Sequence, residues 1–239
     1  MTCFLTSSPC IVGGNYFNPA NRFLEELTAA LPQKPLEVLF VASSPDDPEA
    51  TEKYGGYMKE TVENAGFKLK NYVFLDRRNQ KDAEKLVKQA DFIILAGGHV
   101  PTQNAFFVAI ELKKLLKDYD GVLMGISAGT MNSAETVYSQ PEREGEAVSP
   151  DYKRFYPGLG LTRAQILPHY NLCKDDVLDG LRVFEDIAYP DSHGNRFYAM
   201  MDGSYLLIRD GKEEIRGETF LIADGVLTPF CGEDQSVLL

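Results

Sequence analysis

The first half of the chain alternates short apolar runs with amphipathic stretches. Five runs are apolar at almost every position, as in strands covered on both faces, at residues 4–5, 36–42, 71–75, 91–96 and 121–126. Four stretches between them place apolar side chains at helical spacing, at residues 21–30, 51–65, 81–89 and 104–116. This alternation predicts an α/β fold with a mainly parallel sheet and helices on both of its faces.

The second of these predicted helices has the clearest apolar face. Tyr54, Met58, Thr61 and Val62 recur along it at helical spacing. Gly66 follows, and glycine is common just past the end of a helix. The pattern therefore predicts a helix that stops at this glycine.

The second half of the chain has a different pattern. Four short runs are predicted strands, at residues 163–167, 196–201, 205–208 and 219–222. Three Asp-Gly pairs, which favour hairpin turns, lie among them: Asp202-Gly203, Asp210-Gly211 and Asp224-Gly225. We therefore expect antiparallel strands at one edge of the parallel sheet. Residues 139–156 are polar and lack periodicity, which predicts a long loop of the kind that often carries function.

The bulk composition narrows the class of protein. The chain has 239 residues, of which 44% are hydrophobic and 25% charged, as is ordinary for a globular protein. This length favours one domain over residues 1–239. The net charge of -11 is unfavourable near phosphate backbones and anionic lipids, so we expect neither nucleic acid nor a membrane as a partner.

The four cysteines, Cys3, Cys10, Cys173 and Cys231, are scattered along the chain. Their spacing fits neither a disulfide framework nor a structural zinc site, so we expect reduced thiols, no metal and no cofactor. The N-terminus lacks the basic and apolar segments of a signal peptide, and no stretch reaches the ~20 apolar residues of a membrane helix. We therefore predict a cytoplasmic protein.

The strongest chemical signal is Gly125-Ile126-Ser127-Ala128-Gly129, which directly follows the fifth predicted strand. A G-x-S-x-G sequence between a strand and a helix is typical of a nucleophile elbow, in which small flanking residues relieve a strained turn. The hydroxyl then projects above the carboxyl ends of the strands. We therefore predict Ser127 as the nucleophile of an acyl-transfer reaction. A turn that contains a serine by chance is the structural alternative.

A serine nucleophile needs a base, and the chain has only three histidines. His169 follows a predicted strand, at the edge of the sheet where ligands collect in open α/β folds. His99 follows the fourth predicted strand, and His193 lies in a polar turn. We favour His169 as the base and place His99 before His193 as the alternative. We also predict that His99 contacts the substrate.

Two carboxylates are candidates for orienting the base. Asp202 follows a predicted strand, whereas Glu142 lies in the long loop after the nucleophile. An Asp-Gly hairpin turn is the structural alternative for Asp202, and simple solvation is the alternative for Glu142. Placement at a strand end favours Asp202 slightly, and both candidates stay open.

Backbone amides are the predicted donors of an oxyanion hole. Gly97-Gly98 ends the fourth predicted strand, beside the strand that leads to the nucleophile. Glycines there let N–H groups approach a substrate carbonyl, so we predict the amides of Gly98 and Ala128 as the donors. The spacing does not fit a phosphate-binding loop. The same holds for Gly13-Gly14, a predicted loop without an assigned role.

Five segments taken in order resemble the peptidase E and cyanophycinase family of serine peptidases: residues 96–103, 125–129, 157–161, 168–170 and 202–203. The resemblance covers most of the chain. It implies a three-layer α/β/α fold like that of class I glutamine amidotransferases, with serine in place of cysteine. It also implies that Ser127 is the nucleophile, His169 the base, and a carboxylate near Glu142 or at Asp202 the acid.

The chain departs from this family at two places. The oxyanion loop of the family usually reads Gly-Gly-Gly-Asn, whereas residues 96–99 read Ala-Gly-Gly-His. No basic residue matches one that would select an N-terminal aspartate. Aspartyl-dipeptide specificity is therefore not implied with any strength.

Three functional hypotheses follow from these residues. The first is a serine-type, dipeptidase-like peptidase with small peptides as substrates and an acyl-enzyme intermediate. The second is an amidase or esterase built on the same elbow. The third is a non-catalytic binding member of the fold, since fold alone does not establish function. The sequence leaves open whether the protein is a monomer or a homo-oligomer.

Overall fold

The computed structural model describes residues 1–11 and 13–239. Its strands are β1 Thr2–Thr6, β2 Leu36–Val41, β3 Leu69–Leu75, β4 Phe92–Leu95, β5 Val122–Ile126, β6 Thr136–Tyr138, β7 Phe155–Pro157, β8 Gln165–Leu167, β9 Val177–Leu178, β10 Leu181–Arg182, β11 Arg196–Met200, β12 Tyr205–Arg209, β13 Lys212–Arg216, β14 Thr219–Ala223, β15 Val226–Cys231 and β16 Ser236–Leu238. Its α-helices are α1 Phe23–Ala30, α2 Pro48–Asn64, α3 Ala83–Gln89, α4 Val100–Ala109, α5 Leu112–Leu115, α6 Ala128–Met131, α7 Tyr170–Cys173 and α8 Tyr189–Asp191. None of the described helices is both long enough and apolar enough to cross a membrane.

An eight-stranded sheet forms the centre of the fold, in the order β16-β13-β12-β1-β5-β4-β2-β3. The strands from β1 to β3 in this order pair in parallel. At the other edge, β12, β13 and β16 add antiparallel pairs. The predicted parallel sheet with antiparallel edge strands from the C-terminal half is thus confirmed.

Alternate residues of the central strands face two separate hydrophobic layers. On one face Phe40 and Ile94 pack in a cluster with residues of α1 and α2. On the other face Leu39 and Ile93 pack with residues of α3, α4 and α5. Because side chains alternate along a strand with a period of two, a strand covered on both faces is apolar at every position. This confirms the three-layer α/β/α arrangement.

Two helices begin earlier than apolar periodicity predicts. α2 begins at Pro48, where the Asp47 side chain accepts a hydrogen bond of 3.0 Å from a backbone N–H of the first turn. α4 begins just before Pro101. Proline is favoured in the first turn, where its missing N–H removes no helical hydrogen bond. The predicted helix over 104–116 is also divided, because Glu111 takes a φ of 52° between α4 and α5.

A second sheet, in the order β15-β14-β11-β8, packs beside the helix that follows Ser127. Its buried residues Leu167, Phe197 and Ile222 share a cluster with Ala128 and Met131 of α6. Two of the three Asp-Gly pairs form the predicted hairpins, one between β12 and β13 and the other between β14 and β15. The second sheet therefore brings distant parts of the chain against α6, the helix that follows Ser127.

The third pair, Asp202-Gly203, does not form a hairpin. The strand before the pair, β11, belongs to the second sheet, whereas the strand after it, β12, pairs with β1 in the central sheet. Gly203 takes a φ of 91°, and its N–H donates to the Ser8 carbonyl at 3.1 Å. The pair therefore joins two sheets, and Asp202 lies at their junction beside the carboxyl end of β1.

Candidate active site

Ser127 occupies a strained turn between β5 and α6. Its φ of 49° and ψ of -108° are rare for a residue with a side chain. A side chain at Gly125 would bring its Cβ within 2.9 Å of the Thr130 nitrogen, and one at Gly129 would collide with the Leu95 carbonyl oxygen. Both glycines of the motif are therefore required by close backbone approach, and the turn has the geometry of a nucleophile elbow.

Threonine side chains hold this turn against β1. The Ser127 N–H donates to the Thr6 carbonyl at 3.2 Å, and Thr130 Oγ1 donates to the same oxygen at 2.8 Å. Thr6 Oγ1 in turn donates to the Gly125 carbonyl at 2.8 Å. Because Thr6 and Thr130 are both 1% exposed, these hydrogen bonds are shielded from water and fix the position of the turn.

The ring of His169 faces the carboxylate of Asp202. His169 follows β8 and takes a left-handed conformation, with a φ of 58°, at the start of α7. Its Nδ1 lies 2.7 Å from Asp202 Oδ1, and the histidine side chain is 33% exposed against 11% for the aspartate. Burial raises the pKa of Asp202, but the hydrogen bond and charge of His169 outweigh it, so this pKa lies below its ordinary value. The carboxylate is therefore ionised at neutral pH.

Ser7 and Asn171 support this pair, and neither was predicted from the sequence. The buried hydroxyl of Ser7 accepts from the His169 N–H at 2.7 Å and donates to Asp202 Oδ1 at 2.9 Å. The Asn171 side chain accepts from the Asp202 N–H at 2.9 Å. A sequence signal existed for Ser7, which follows the first predicted strand at the carboxyl end of the sheet. The role of Asn171 depends on a junction of sheets that periodicity does not reveal.

Glycines bring backbone amides close to Ser127. A Cβ at Gly97 would lie 3.4 Å from Ser127 Cβ, and a side chain at Gly98, whose φ is 149°, would collide with Ser43. Within the described part of the chain, neither Gly98 nor Ala128 donates its N–H to another protein group. Both amides are thus available to a substrate oxygen.

Two cavities meet at Gly98, Ser127 and His169, which line both of them. The larger cavity, of about 860 Å³, is called here the apolar chamber, and its walls include Cys10, Phe40, Tyr54, Tyr57, Met58 and Ile126. The smaller cavity, of about 390 Å³, is called the acidic chamber, and its walls include Gln140, Glu142, Cys173 and Asp176. Among the described residues, no hydrogen bond joins Ser127 Oγ to the His169 ring. In unliganded active sites such contacts are often long and tighten when substrate binds.

The comparison with protein families identifies the chain. The model of peptidase family S51 matches residues 3–216. The chain belongs to peptidase family S51. It is therefore a serine-type peptidase, and the predicted resemblance to the peptidase E family is confirmed.

Solved structures share the fold of this S51 peptidase. A peptidase from an acI-B1 Actinobacterium matches with a TM-score of 0.65 and 16% identity, over 100% of this chain and 96% of that chain. A peptidase E protein from Listeria monocytogenes EGD-e matches with a TM-score of 0.60 and 18% identity, over 96% of this chain and 98% of that chain. At these identities the likeness concerns the fold alone. No sequence match was found among curated proteins.

In this S51 peptidase, Glu142 lies in the wall of the acidic chamber rather than against the histidine. Its side chain is exposed to solvent inside the cleft, where other protein groups surround it. Among the described residues, no hydrogen bond joins it to His169. Loss of hydration from the protein atoms around the cleft, followed by the charge of Glu146, raises the pKa of Glu142 to about 7. The two candidate acids therefore differ in position, since only Asp202 contacts the ring.

His99 has both ring nitrogens engaged. Nδ1 lies 2.8 Å from Thr102 Oγ1, and Nε2 lies 2.8 Å from Glu146 Oε1. Glu146 also accepts hydrogen bonds from the N–H groups of Glu142 and Arg143, so this contact ties the long loop to the start of α4. The ring is 10% exposed and lines neither chamber. This placement supports neither a substrate contact nor a role as base for His99.

The remaining histidine lines neither chamber, and the two cysteines that line the chambers are protonated thiols. His193 lies beside the Asp224-Gly225 turn and lines neither chamber. The four cysteines are free. Burial raises the pKa of Cys10 to about 11 and that of Cys173 to about 12, so both stay protonated at neutral pH. In the described ranges, no group of three or more His, Cys, Asp or Glu could hold a metal ion.

Proposed function

We propose that this S51 peptidase hydrolyses small peptides through an acyl-enzyme formed on Ser127. His169 is the general base, Asp202 orients it, and the amides of Gly98 and Ala128 form the oxyanion hole. The observation that carries the proposal is the contact of 2.7 Å between His169 Nδ1 and Asp202, in the wall of the cavities that Ser127 also lines. The size of the two chambers suits a small peptide, since ligand pockets typically span ~300–1,000 Å³.

The contact with Asp202 determines which nitrogen of the base is free. An ionised carboxylate only accepts hydrogen bonds, so Nδ1 carries the proton and Nε2 holds the lone pair. Nε2 takes the proton of Ser127 Oγ as the oxygen attacks the scissile carbonyl. It then gives that proton to the leaving amine, and a water molecule hydrolyses the ester by the same steps in reverse. The negative charge on the tetrahedral oxygen is stabilised by the two amides.

Glu142 has a different role in this proposal. Among the described residues, no hydrogen bond joins its side chain to the His169 ring, whereas Asp202 makes one. Its place in the acidic chamber makes it a group that touches substrate or shapes the field around it. We therefore assign the orienting role to Asp202 and give Glu142 no part in the proton transfer.

Replacement of the nucleophile tests the proposal. We expect Ser127→Ala to lower kcat/KM for dipeptides by about 10⁴-fold or more while the thermal unfolding curve stays cooperative. Ser149→Ala is the control, because this serine lies in the long loop and lines neither chamber. Unchanged turnover in Ser127→Ala would remove the proposal. Short esters that react faster than every dipeptide would favour an esterase on the same elbow.

A further inference from the structure

One face of α2 forms a large part of the apolar chamber. Met58 and Thr61 are buried on this face, whereas Tyr54 and Tyr57 are 61% and 48% exposed, and all four line the cavity. The apolar stripe of the helix therefore continues past the hydrophobic core and covers a cavity instead of the sheet. Exposed aromatic side chains grouped at a concave surface mark a ligand-binding site.

The apolar chamber opens directly onto the reacting atoms. Gly98 and Ser127 belong to its wall, as does Ile126, the residue before the nucleophile. A peptide whose scissile carbonyl reaches Ser127 has one residue on each side of the bond. The two chambers are the spaces open to these residues, since Ser127 lines both of them.

The described residues that line the apolar chamber include no Asp, Glu, Lys or Arg. A charged substrate side chain would lose part of its hydration there and would meet only uncharged Ser, Thr, Asn and Tyr groups besides His169, which is unfavourable. Lys53 Nζ lies 5.5 Å from the centre of the Tyr54 ring but does not line the cavity. An apolar side chain instead gains contact with Phe40, Met58 and the two tyrosines.

The acidic chamber gives an acidic side chain no better place. Glu142 and Asp176 line it, and its described lining residues include no Lys or Arg. A carboxylate on the substrate would meet the Asp176 carboxylate and the partly protonated Glu142 there, without a Lys or Arg to pair with, in a protein whose net charge is -11. Neither side of the nucleophile is therefore built for an acidic residue.

We propose that the apolar chamber is the subsite for a large apolar side chain, aromatic or aliphatic, on a residue next to the scissile bond. The site discriminates against acidic residues at that position. This inference rests on the proposed peptidase function and adds the substrate class to it.

The experiment measures kcat/KM for Ala-Ala and for dipeptides with Phe, Leu or Asp at either position. We expect Phe or Leu at one position to exceed Ala there by at least about tenfold, and Asp to fall below Ala. Preference for Asp, or no preference for an apolar residue at either position, would overturn the inference. A preference for Asp that disappears in Lys53→Ala would assign the chamber to acidic ligands instead.

Substitutions on α2 test whether the chamber causes the preference. The double variant Tyr54→Ser/Tyr57→Ser should lower the ratio of Phe to Ala turnover by about tenfold. Lys59→Ala is the matched control, since Lys59 is exposed on the same helix and does not line the cavity. An unchanged ratio in the double variant would overturn the inference.

Binding measured without turnover separates the inference from the proposed function. Calorimetry with Ser127→Ala should show tighter binding of the Phe dipeptide than of Ala-Ala or the Asp dipeptide. If no peptide is hydrolysed by the wild-type protein but this order holds, the subsite stands and the catalytic proposal fails. If peptides are hydrolysed but the order is reversed, the subsite assignment fails alone.

Discussion

The two chambers on either side of Ser127 share one wall but differ in the chemistry of their other lining residues. Gly98, Ser127 and His169 belong to both. The apolar chamber takes most of its remaining walls from α2 and from the segments around the ends of β1 and β2, whereas the acidic chamber takes most of them from the long loop and from residues 173–183. In the proposed mechanism the reaction depends on the common wall, and selectivity depends on the separate segments. Substitutions in the common wall should affect every substrate, and those in one chamber should change preferences.

The largest effect is expected at the base in the common wall. We expect His169→Ala to lower kcat/KM by about 10⁴-fold or more for all peptides, because His169 is the proposed acceptor of the Ser127 proton. His193→Ala is the control, since His193 lines neither chamber. Steady-state kinetics on the same dipeptides measures both variants. A comparable loss in His99→Ala, with His169→Ala active, would assign the base to the other histidine.

The next effect separates the two candidate acids. Asp202→Asn should lower kcat by about 10³-fold, because an amide at this place favours the wrong tautomer of the ring. Glu142→Gln should lower it by less than about tenfold, because Glu142 does not contact the ring. The ratio of the two losses measures which carboxylate orients the base. A larger loss in Glu142→Gln would reverse the assignment.

Ser7 should act as a positioning residue with a smaller effect. Ser7→Ala removes the hydroxyl that links the His169 N–H to Asp202, and we expect kcat to fall about tenfold with KM unchanged. Ser7→Thr keeps the hydroxyl and should restore most of the activity. A purely structural role would instead lower the melting temperature of Ser7→Ala and leave kcat as it is.

The smallest effect concerns the acidic chamber and pH. Because the pKa of Glu142 is raised to about 7, its charged form destabilises the folded state, and stability is lost as pH rises from the unfolded value of about 4.5 through 7. The change in melting temperature caused by Glu142→Gln should therefore be more positive at pH 8 than at pH 5. Glu144→Gln, in the same loop, is the control. Equal shifts at both pH values would contradict the prediction.

Much of the fold follows from apolar runs, since strands buried on both faces must be apolar throughout. The runs at 36–42 and 91–96 correspond closely to β2 and β4. Strand pairing across the second sheet does not follow, because Asp202-Gly203 has the chemistry of a hairpin turn and yet joins two sheets. Local turn preference cannot show which partner each flanking strand finds.

The candidate site divides in the same way. The tight turn at Ser127 could be predicted from the G-x-S-x-G sequence, because the turn has no room for side chains at the two glycines. The place of Tyr54 in the wall of the apolar chamber could not be predicted, because an apolar helix face has the same spacing whether it covers a core or a cavity. The sequence also could not predict that the His99 ring binds Glu146 instead of lining a chamber, because Glu146 lies in the distant long loop.

The most direct test of the account is covalent labelling by a serine-reactive fluorophosphonate, followed by intact mass and peptide mapping. We predict one adduct on Ser127 in the wild-type protein, no adduct in Ser127→Ala, and strongly slowed labelling in His169→Ala. A folded wild-type protein that resists the reagent, or that carries the adduct on another residue, would contradict the account.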